Sequence, residues 1–230
     1  MKKISIIITC YNENPTINKV IERVKQFNKF KKEIIVVDDF SNDGTNISLK
    51  KFQNDSEVKI IFHDKNYGKG KAIRTALNFV TGDYVIIQDA DLEYDPADYD
   101  LIFKPFLKAD ADVVYGSRFL GGNGYVRLHF FWHYVANKIL TLLSNVITNL
   151  NMTDMETGSK AFKTSAIKSI ELFENGFGIE PEITVKLAKK KFKFFEVSVS
   201  YKGRSYEEGK KIRLKDAFRA VYCLIKYSFS

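Results

Sequence analysis

The sequence predicts an α/β fold built on a mostly parallel central sheet flanked by helices. Three observations carry this. Short, near-continuous runs of Ile and Val recur through the first half of the chain. Helical patterns separate them, as expected of a sheet covered on both faces. Carboxylates gather just past the ends of the apolar runs, at the edge where open α/β sheets bind ligands.

The elements follow in order. Strands are expected at residues 4–9, 33–38, 58–63, 84–88 and 112–117, with helices at about 15–27, 44–52, 68–80 and 98–107. The strand ends carry Tyr11-Asn12-Glu13, Asp38-Asp39, Asp64 and Asp89-Ala90-Asp91. The last of these is the most informative. Two carboxylates one residue apart can hold a hard divalent cation and leave it open to phosphate oxygens. Glu93 supplies a third oxygen ligand two residues on. An isolated Asp-x-Asp is also a common turn after a strand, so the surrounding motifs decide its meaning.

After Ser117 the character changes. Gly121-Gly122-Asn123-Gly124 reads as a flexible loop. Residues 131–150 form a helical pattern with Trp132, Val135, Ile139, Leu142, Val146 and Leu150 on one stripe. His133, Asn137, Thr141, Ser144 and Thr148 follow the other face. Two readings stand, a helix packed on the core or one lying in a membrane interface. A further strand is expected at 193–199. Residues 214–229 mix Phe218, Val221, Tyr222 and Ile225 with Lys215, Arg219 and Lys226. This suits an anionic membrane surface or a docked last helix.

The 230 residues, 45% hydrophobic and 28% charged, suit one substantial domain. The net charge of +8 is unevenly spread: residues 186–226 hold 13 Lys/Arg against 4 Asp/Glu, a net of +9. A basic patch on a near-neutral body implies a polyanionic partner. Two cysteines, Cys10 and Cys223, fit a reducing compartment and no structural disulfide. Met1-Lys2-Lys3 leads directly into a short strand, so no signal peptide is expected. No stretch offers the roughly 20 apolar residues that span a bilayer.

Several motifs narrow the chemistry. Gly68-Lys69-Gly70-Lys71-Ala72-Ile73 is neither a dinucleotide fingerprint nor a Walker A loop. It reads as a Gly-rich helix start that either holds an anion or is capped by Asn66. Asp39 can accept hydrogen bonds from a base, while Asp43 or Ser41 caps the next helix. Arg118, Arg127, Arg204, Lys210, Lys211 and Arg213 are candidate phosphate ligands. Arg204 is distinguished by its glycine-containing loop, Tyr201-Lys202-Gly203-Arg204-Ser205-Tyr206. Asp154 and Glu156 in Thr153-Asp154-Met155-Glu156-Thr157-Gly158 bring two more carboxylates. His63, His129 and His133 have no zinc-ligand spacing with the cysteines.

Taken in order, these motifs resemble a known family. Cys10-Tyr11-Asn12-Glu13, Asp38-Asp39-x-Ser41-x-Asp43-Gly44-Thr45, Asn66-x-Gly68-Lys69-Gly70 and Gly82-Asp83 followed by Asp89-Ala90-Asp91 are similar to the family 2 glycosyltransferases of GT-A (Rossmann-like) fold. Gly116-Ser117-Arg118-Phe119, Thr153 to Phe162, Gly178-Ile179-Glu180-Pro181-Glu182 and Gly203-Arg204 with Gly209-Lys210-Lys211-Ile212 resemble the polyprenyl-phosphate branch, which includes dolichyl-phosphate mannose synthases. The resemblance implies one GT-A domain over 1–230. Residues 1–117 would bind a nucleotide-diphosphate sugar, and residues 118–230 would face the acceptor and the membrane.

The resemblance also implies roles. Asp89, Asp91 and Glu93 would serve Mg²⁺ or Mn²⁺ and the diphosphate, with Asp91 and Arg204 as the catalytic pair. Tyr11, Glu13 and Asp39 would hold base and ribose. Arg118 and Arg127 would hold the lipid phosphate, and Lys210 belongs to the same substrate-binding set. The implied reaction is inverting transfer of a hexose from GDP-mannose or UDP-glucose to polyprenyl or dolichyl phosphate. The implied location is the cytoplasmic face of a membrane, reached peripherally on an anionic surface or through a membrane-anchoring partner protein. Many relatives continue into transmembrane helices beyond the matched region.

Three rivals make different demands. Transfer to a soluble glycan or protein needs a carboxylate base, for which Asp154 or Glu156 is available. A sugar-1-phosphate nucleotidyltransferase needs a Gly-rich loop after the first strand, where this chain has Tyr11-Asn12-Glu13-Asn14. A basic nucleic-acid-binding protein would repel phosphates with its own strand-end carboxylates, so no nucleic-acid partner is expected.

Overall fold

β-Branched residues dominate the first apolar run, which forms β1 (Lys3–Cys10), one residue longer at each end than expected. The computed structural model describes residues 2–121, 130–204 and 214–229. Ile4, Ile6 and Ile8 enter the core on one face of the sheet, and Ile7 enters it on the other. β2 (Lys31–Asp38), β3 (Val58–Phe62), β4 (Tyr84–Asp89) and β5 (Val113–Ser117) follow where the Ile/Val runs lie. Between them run α1 (Ile17–Gln26), α2 (Thr45–Leu49), α3 (Lys69–Leu77) and α4 (Tyr99–Lys108). The second half adds α5 (Phe131–Thr148), β6 (Lys160–Lys163), α6 (Thr164–Lys168), α7 (Ile179–Lys189), β7 (Phe194–Ser198) and α8 (Leu214–Ser228).

The strands form one sheet in the order β3-β2-β1-β4-β6-β5-β7. All pairings are parallel except those of β6, which runs antiparallel to both β4 and β5. The α/β class and mostly parallel sheet are therefore as expected, and β6 is the addition. The chain leaves β1 toward β2 on one side and meets β4 on the other. That switch point sets Thr9 beside Asp89 and Cys10 beside Asp38 in register. Both cysteines are buried thiols outside any disulfide.

α5 is inside out relative to a simple amphipathic helix. Most of its apolar stripe is exposed: Trp132 and Val146 are each 75% accessible and Leu142 is 64%, while Leu150 at its end packs against the core. Thr141 and Ser144, from the polar face, are buried instead. The helix packs on the core through Leu140, Ile147 and Leu150, and most of the stripe faces outward. α8 packs against α5 and α7 and also turns Phe218, Tyr222 and Ile225 outward, with Phe229 exposed just past its end. It is nonetheless docked. Glu174, nearly fully buried, accepts from Arg219 (2.7 and 3.0 Å) and from the Tyr227 hydroxyl (2.8 Å). Among the described residues, no helix is long and apolar enough to cross a membrane.

The edge opposite the site is pinned by Glu33. It accepts from Lys3 (2.6 Å), Ser5 (2.5 Å) and both the N–H and hydroxyl of Thr81 (2.7 Å each). Burial alone would raise its carboxyl, but these four donors hold it down at about 2. A lowered acid stabilises the fold above the unfolded-state value, and that contribution disappears as pH falls toward the folded-state value. We expect Glu33→Gln to cost about 2 kcal/mol at pH 7. The difference from wild type should shrink between pH 4.5 and 2, read by denaturant unfolding at several pH values.

Candidate active site at the carboxyl edge of the sheet

A cleft of about 1110 Å³ opens at the carboxyl ends of β1 and β4 and extends to α5 and the start of α8. Of the residues expected there, Tyr11, Glu13, Asp39, Asp89, Asp91, Glu93, Arg118 and Arg204 all line it. Arg127 and Lys210 lie outside the described residues, as do Lys211 and Arg213.

The carboxylates at the floor are held by two cations from distant segments. Lys69, at the first turn of α3, lies 2.9 Å from Asp89 Oδ1 and 3.0 Å from Glu180 Oε1. Burial would strip its proton, but these two carboxylates keep its ammonium well above the usual range. Arg204 reaches Glu13 with NH1 (3.1 Å) and NH2 (2.9 Å), and Asp91 with NH2 (3.1 Å). Its main-chain N–H donates to Glu93 Oε1 at 2.7 Å, and the Tyr201 hydroxyl donates to Glu93 Oε2 at 2.7 Å. The 200–204 segment is delivered by an isolated bridge between Tyr94 and Tyr201, and by Ser200 N–H bonding Asp98 (2.6 Å).

Asp91 remains under-compensated. Burial first, then the charges of Asp89 and Glu93, push its carboxyl up to about 7 despite Arg204. Glu13, Asp89, Asp91 and Glu93 face two cations, and a hard oxygen donor set with surplus negative charge fits a Mg²⁺ or Mn²⁺ ion. Asp89 and Asp91 are the residues that would hold it. Glu93 spends its oxygens on Tyr201 and the Arg204 main chain. Among the described residues no three acidic, His or Cys side chains converge as a ready cage.

Backbone space decides where Asp89 points. A Cβ on Gly158 would fall 2.1 Å from Asp89 Oδ2. The glycines of Gly68-Lys69-Gly70 serve a similar purpose. A Cβ on Gly68 or Gly70 would meet the main-chain oxygens of Asn175 (2.5 Å) or Glu174 (2.3 Å), so only glycine lets α3 approach this loop. Asn66 does not cap α3; its amide donates to Asp39 O. The anion at this helix start is the chain's own Asp39, which accepts from Tyr67 N–H (2.9 Å) and Gly68 N–H (2.6 Å). His63 Nδ1 lies 2.7 Å from the same carboxylate.

Arg118 is bound through Nε and NH2 to the two oxygens of Asp154, both at 2.7 Å, and its main-chain N–H bonds the same group. Asp154 is fully buried, so this pair is a fixed brace and Asp154 is not exposed to act as a base. Glu156 is different. It lines the cleft, and its Oε1 is buried without a hydrogen-bond partner. Burial and the nearby Glu180 charge push its carboxyl up. Sequence reasoning gave Lys69 no carboxylate partners and Glu180 no role. Each meets its partners only through long-range packing.

A mostly parallel sheet with one antiparallel strand, and an Asp-x-Asp at the end of β4, define a GT-A fold. The chain belongs to Glycosyl transferase family 2, whose pattern matches residues 5–171. It is 31% identical to the uncharacterized protein MJ0544 of Methanocaldococcus jannaschii, over 90% of this chain and 93% of that one. It is 26% identical to a dolichol-phosphate mannosyltransferase of Pyrococcus furiosus, over 98% of this chain and 64% of that one. An undecaprenyl-phosphate 4-deoxy-4-formamido-L-arabinose transferase of Proteus mirabilis matches at 27%, over 94% of this chain and again 64% of the relative. In fold, the chain is similar to glucosyl-3-phosphoglycerate synthase of Mycobacterium tuberculosis in complex with Mn²⁺, UDP and phosphoglyceric acid (TM-score 0.75, 18% identity, covering 99% and 78% of the two chains).

Gly158→Ala tests the floor. The new methyl must displace Asp89, so we expect glycosyl transfer to fall at least tenfold while the melting temperature moves by only a few degrees. Activity and thermal unfolding on the same preparation check this.

Proposed function

We propose that this glycosyltransferase moves a hexose from a nucleotide-diphosphate sugar, GDP-mannose or UDP-glucose, to polyprenyl phosphate at a membrane surface. The observation that carries the reading is the two-ended cleft. One end holds Glu13 after β1 and Asp89 and Asp91 at the end of β4; the other is lined by Phe130, Trp132, Lys215, Asp216 and Ala217 beside the outward apolar residues of α5 and α8. An acidic end suits a diphosphate accompanied by a divalent cation, and a largely apolar end beside an exposed apolar surface suits a lipid phosphate whose tail stays in the bilayer. The names of the Pyrococcus and Proteus relatives support the same acceptor class.

In this reading Tyr11, Glu13 and Asp39 line the end for base and ribose, with Asp39 already oriented by Tyr67, Gly68 and His63. A divalent cation held by Asp89 and Asp91 would offset the charge that builds on the leaving diphosphate. Arg204, now shared between Glu13 and Asp91, is poised to turn its guanidinium to the same oxygens in the transition state. A phosphate monoester has a second pKa near 6 and is largely dianionic at neutral pH, so it attacks the anomeric carbon without a general base. In-line attack inverts that carbon. Arg118, braced by Asp154, is the described candidate for the acceptor phosphate, with Arg127 and Lys210 as partners from outside the described residues.

Sugar transfer from labelled GDP-mannose and UDP-glucose to polyprenyl phosphate in detergent, with Mg²⁺, Mn²⁺ or chelator, tests the reading. Metal-dependent lipid-linked sugar is the expected product. Donor hydrolysis with no lipid product would move the acceptor to a soluble molecule. Asp91→Asn should lower transfer at least 100-fold while the metal-free protein melts no earlier, because a buried, under-compensated carboxylate is removed. Trp132, the sole tryptophan, is a built-in reporter. Its emission should shift to the blue with anionic vesicles, and the shift should weaken at high salt. An unchanged spectrum would count against membrane docking through α5.

A further inference from the structure

The polar side of α5 is turned toward the body of the molecule, where it engages one short segment, residues 152–155. This segment lies outside any helix or strand and carries Asp154. Its main-chain groups therefore need partners from elsewhere. Asn145 supplies two of them: its Oδ1 accepts the Met152 N–H at 3.0 Å, and its Nδ2 donates to Met152 O at 2.8 Å. The Thr141 hydroxyl accepts the Met155 N–H at 3.1 Å, and the Lys138 ammonium donates to Thr153 O at 3.2 Å. Glu196 of β7 accepts the N–H groups of Thr153 (2.8 Å) and Asp154 (3.1 Å). Residues 117–118 are mounted in turn on this segment. The Ser117 and Thr153 hydroxyls lie 2.6 Å apart, and Arg118 meets Asp154 through its main-chain N–H, Nε and NH2. Arg118 lines the cleft with its NH1 outside that brace.

We propose that Asn145 and Thr141 are positioning residues for the acceptor phosphate: from the inner side of α5 they fix residues 152–155, and through Asp154 they fix where Arg118 presents its guanidinium in the cleft. The inference rests on the assignment of Arg118 to the acceptor phosphate above. A bidentate arginine–carboxylate pair has a defined plane, so moving the carboxylate moves the guanidinium with it. Asp154 is fully buried, and parting it from Arg118 would leave a buried charge unpaired, so the two shift together. A displacement of about 1 Å is enough to degrade a positioned contact of this kind. The arrangement also gives a reason for the orientation of the helix. Had α5 turned its apolar stripe inward, it would offer residues 152–155 no donors or acceptors. Instead Thr141 and Asn145 face the segment while Trp132, Leu142 and Val146 face outward. One helix thus carries the exposed apolar surface on one side and sets the acceptor arginine with the other.

Steady-state transfer to polyprenyl phosphate in detergent from saturating GDP-mannose or UDP-glucose, with calorimetric binding of GDP and UDP in Mn²⁺, tests this on the purified full chain. Asn145→Ala should raise the acceptor KM about tenfold, keep kcat within about twofold and leave nucleotide affinity unchanged, because only binding common to the ground and transition states is lost. Thr141→Val keeps the side-chain shape but removes the hydroxyl that receives Met155 N–H, and should raise the acceptor KM about threefold. It carries the test if Asn145→Ala does not fold. Arg118→Lys keeps a charge for Asp154 without the fork, and should raise the same KM about tenfold or more. Thermal melts establish that each variant folds. Equal losses in acceptor KM, kcat and nucleotide affinity would make Asn145 and Thr141 general supports and overturn the positioning role. An unchanged acceptor KM in both α5 variants would overturn it too, with Arg118 still assigned. An unchanged acceptor KM in Arg118→Lys, or no lipid-linked product from wild type, would overturn the acceptor reading and this inference together.

Discussion

Two cations hold the acidic floor of the cleft together, and most of the surrounding structure serves to deliver them. Lys69 comes from α3 and Arg204 from the segment after β7. Neither is near the carboxylates in sequence. Burying either charge costs several kcal/mol of solvation, repaid only when partners are close and well aligned. That requirement explains the glycines. Gly68 and Gly70 let α3 press against Glu174 and Asn175, which sets the height of Lys69, and Gly158 clears space for the Asp89 carboxylate. The Tyr94–Tyr201 bridge does the same for Arg204 by pinning the chain three residues before it.

The loop under Lys69 is also the anchor of α8. Glu174 receives Arg219, Tyr227 and, at 3.4 Å, Lys226, and its main-chain oxygen is the atom that a side chain at residue 70 would strike. Glu182 of α7 completes the joint by accepting the N–H groups of Phe173 and Glu174, each at 2.8 Å. A rigid path of packed and hydrogen-bonded groups thus runs from the apolar surface of α8 to the ammonium beside Asp89. A change in how α8 is seated would be felt at the donor end, because close-packed elements transmit displacement rather than absorb it.

Much of this was legible in the sequence, and the failures share a cause. Runs such as Ile4-Ser5-Ile6-Ile7-Ile8 announce a buried strand because a parallel sheet has no polar face to display. The carboxylates at strand ends were legible because topology makes that edge the binding edge. β6 was not, because Lys160-Ala161-Phe162-Lys163 is short and begins and ends with lysine. Lys160 is nonetheless buried, satisfied by main-chain oxygens that no local pattern encodes. α7 was hidden for the same reason, since buried Glu180, Glu182 and Thr184 break its apolar periodicity. The Arg118–Asp154 brace joins residues 36 apart, so Asp154 looked available as a base. α5 was ambiguous from periodicity alone, which finds an apolar stripe but not the direction it faces.

The charge balance of the cleft bears on how a donor enters it. Glu13, Asp89, Asp91 and Glu93 bring four negative charges, against one each from Lys69 and Arg204, and Lys69 is shared with Glu180. A bare nucleoside diphosphate would meet a net negative floor in a site where water screens poorly. A divalent cation accompanying the diphosphate would offset most of that charge. The raised carboxyl of Asp91 records the same imbalance from the protein's side. In the proposed reading, a cation held by Asp89 and Asp91 would take over the neutralisation of Asp91 and leave the Arg204 guanidinium available to the diphosphate. The contact between Arg204 and Asp91 would then be the one given up when the donor is held.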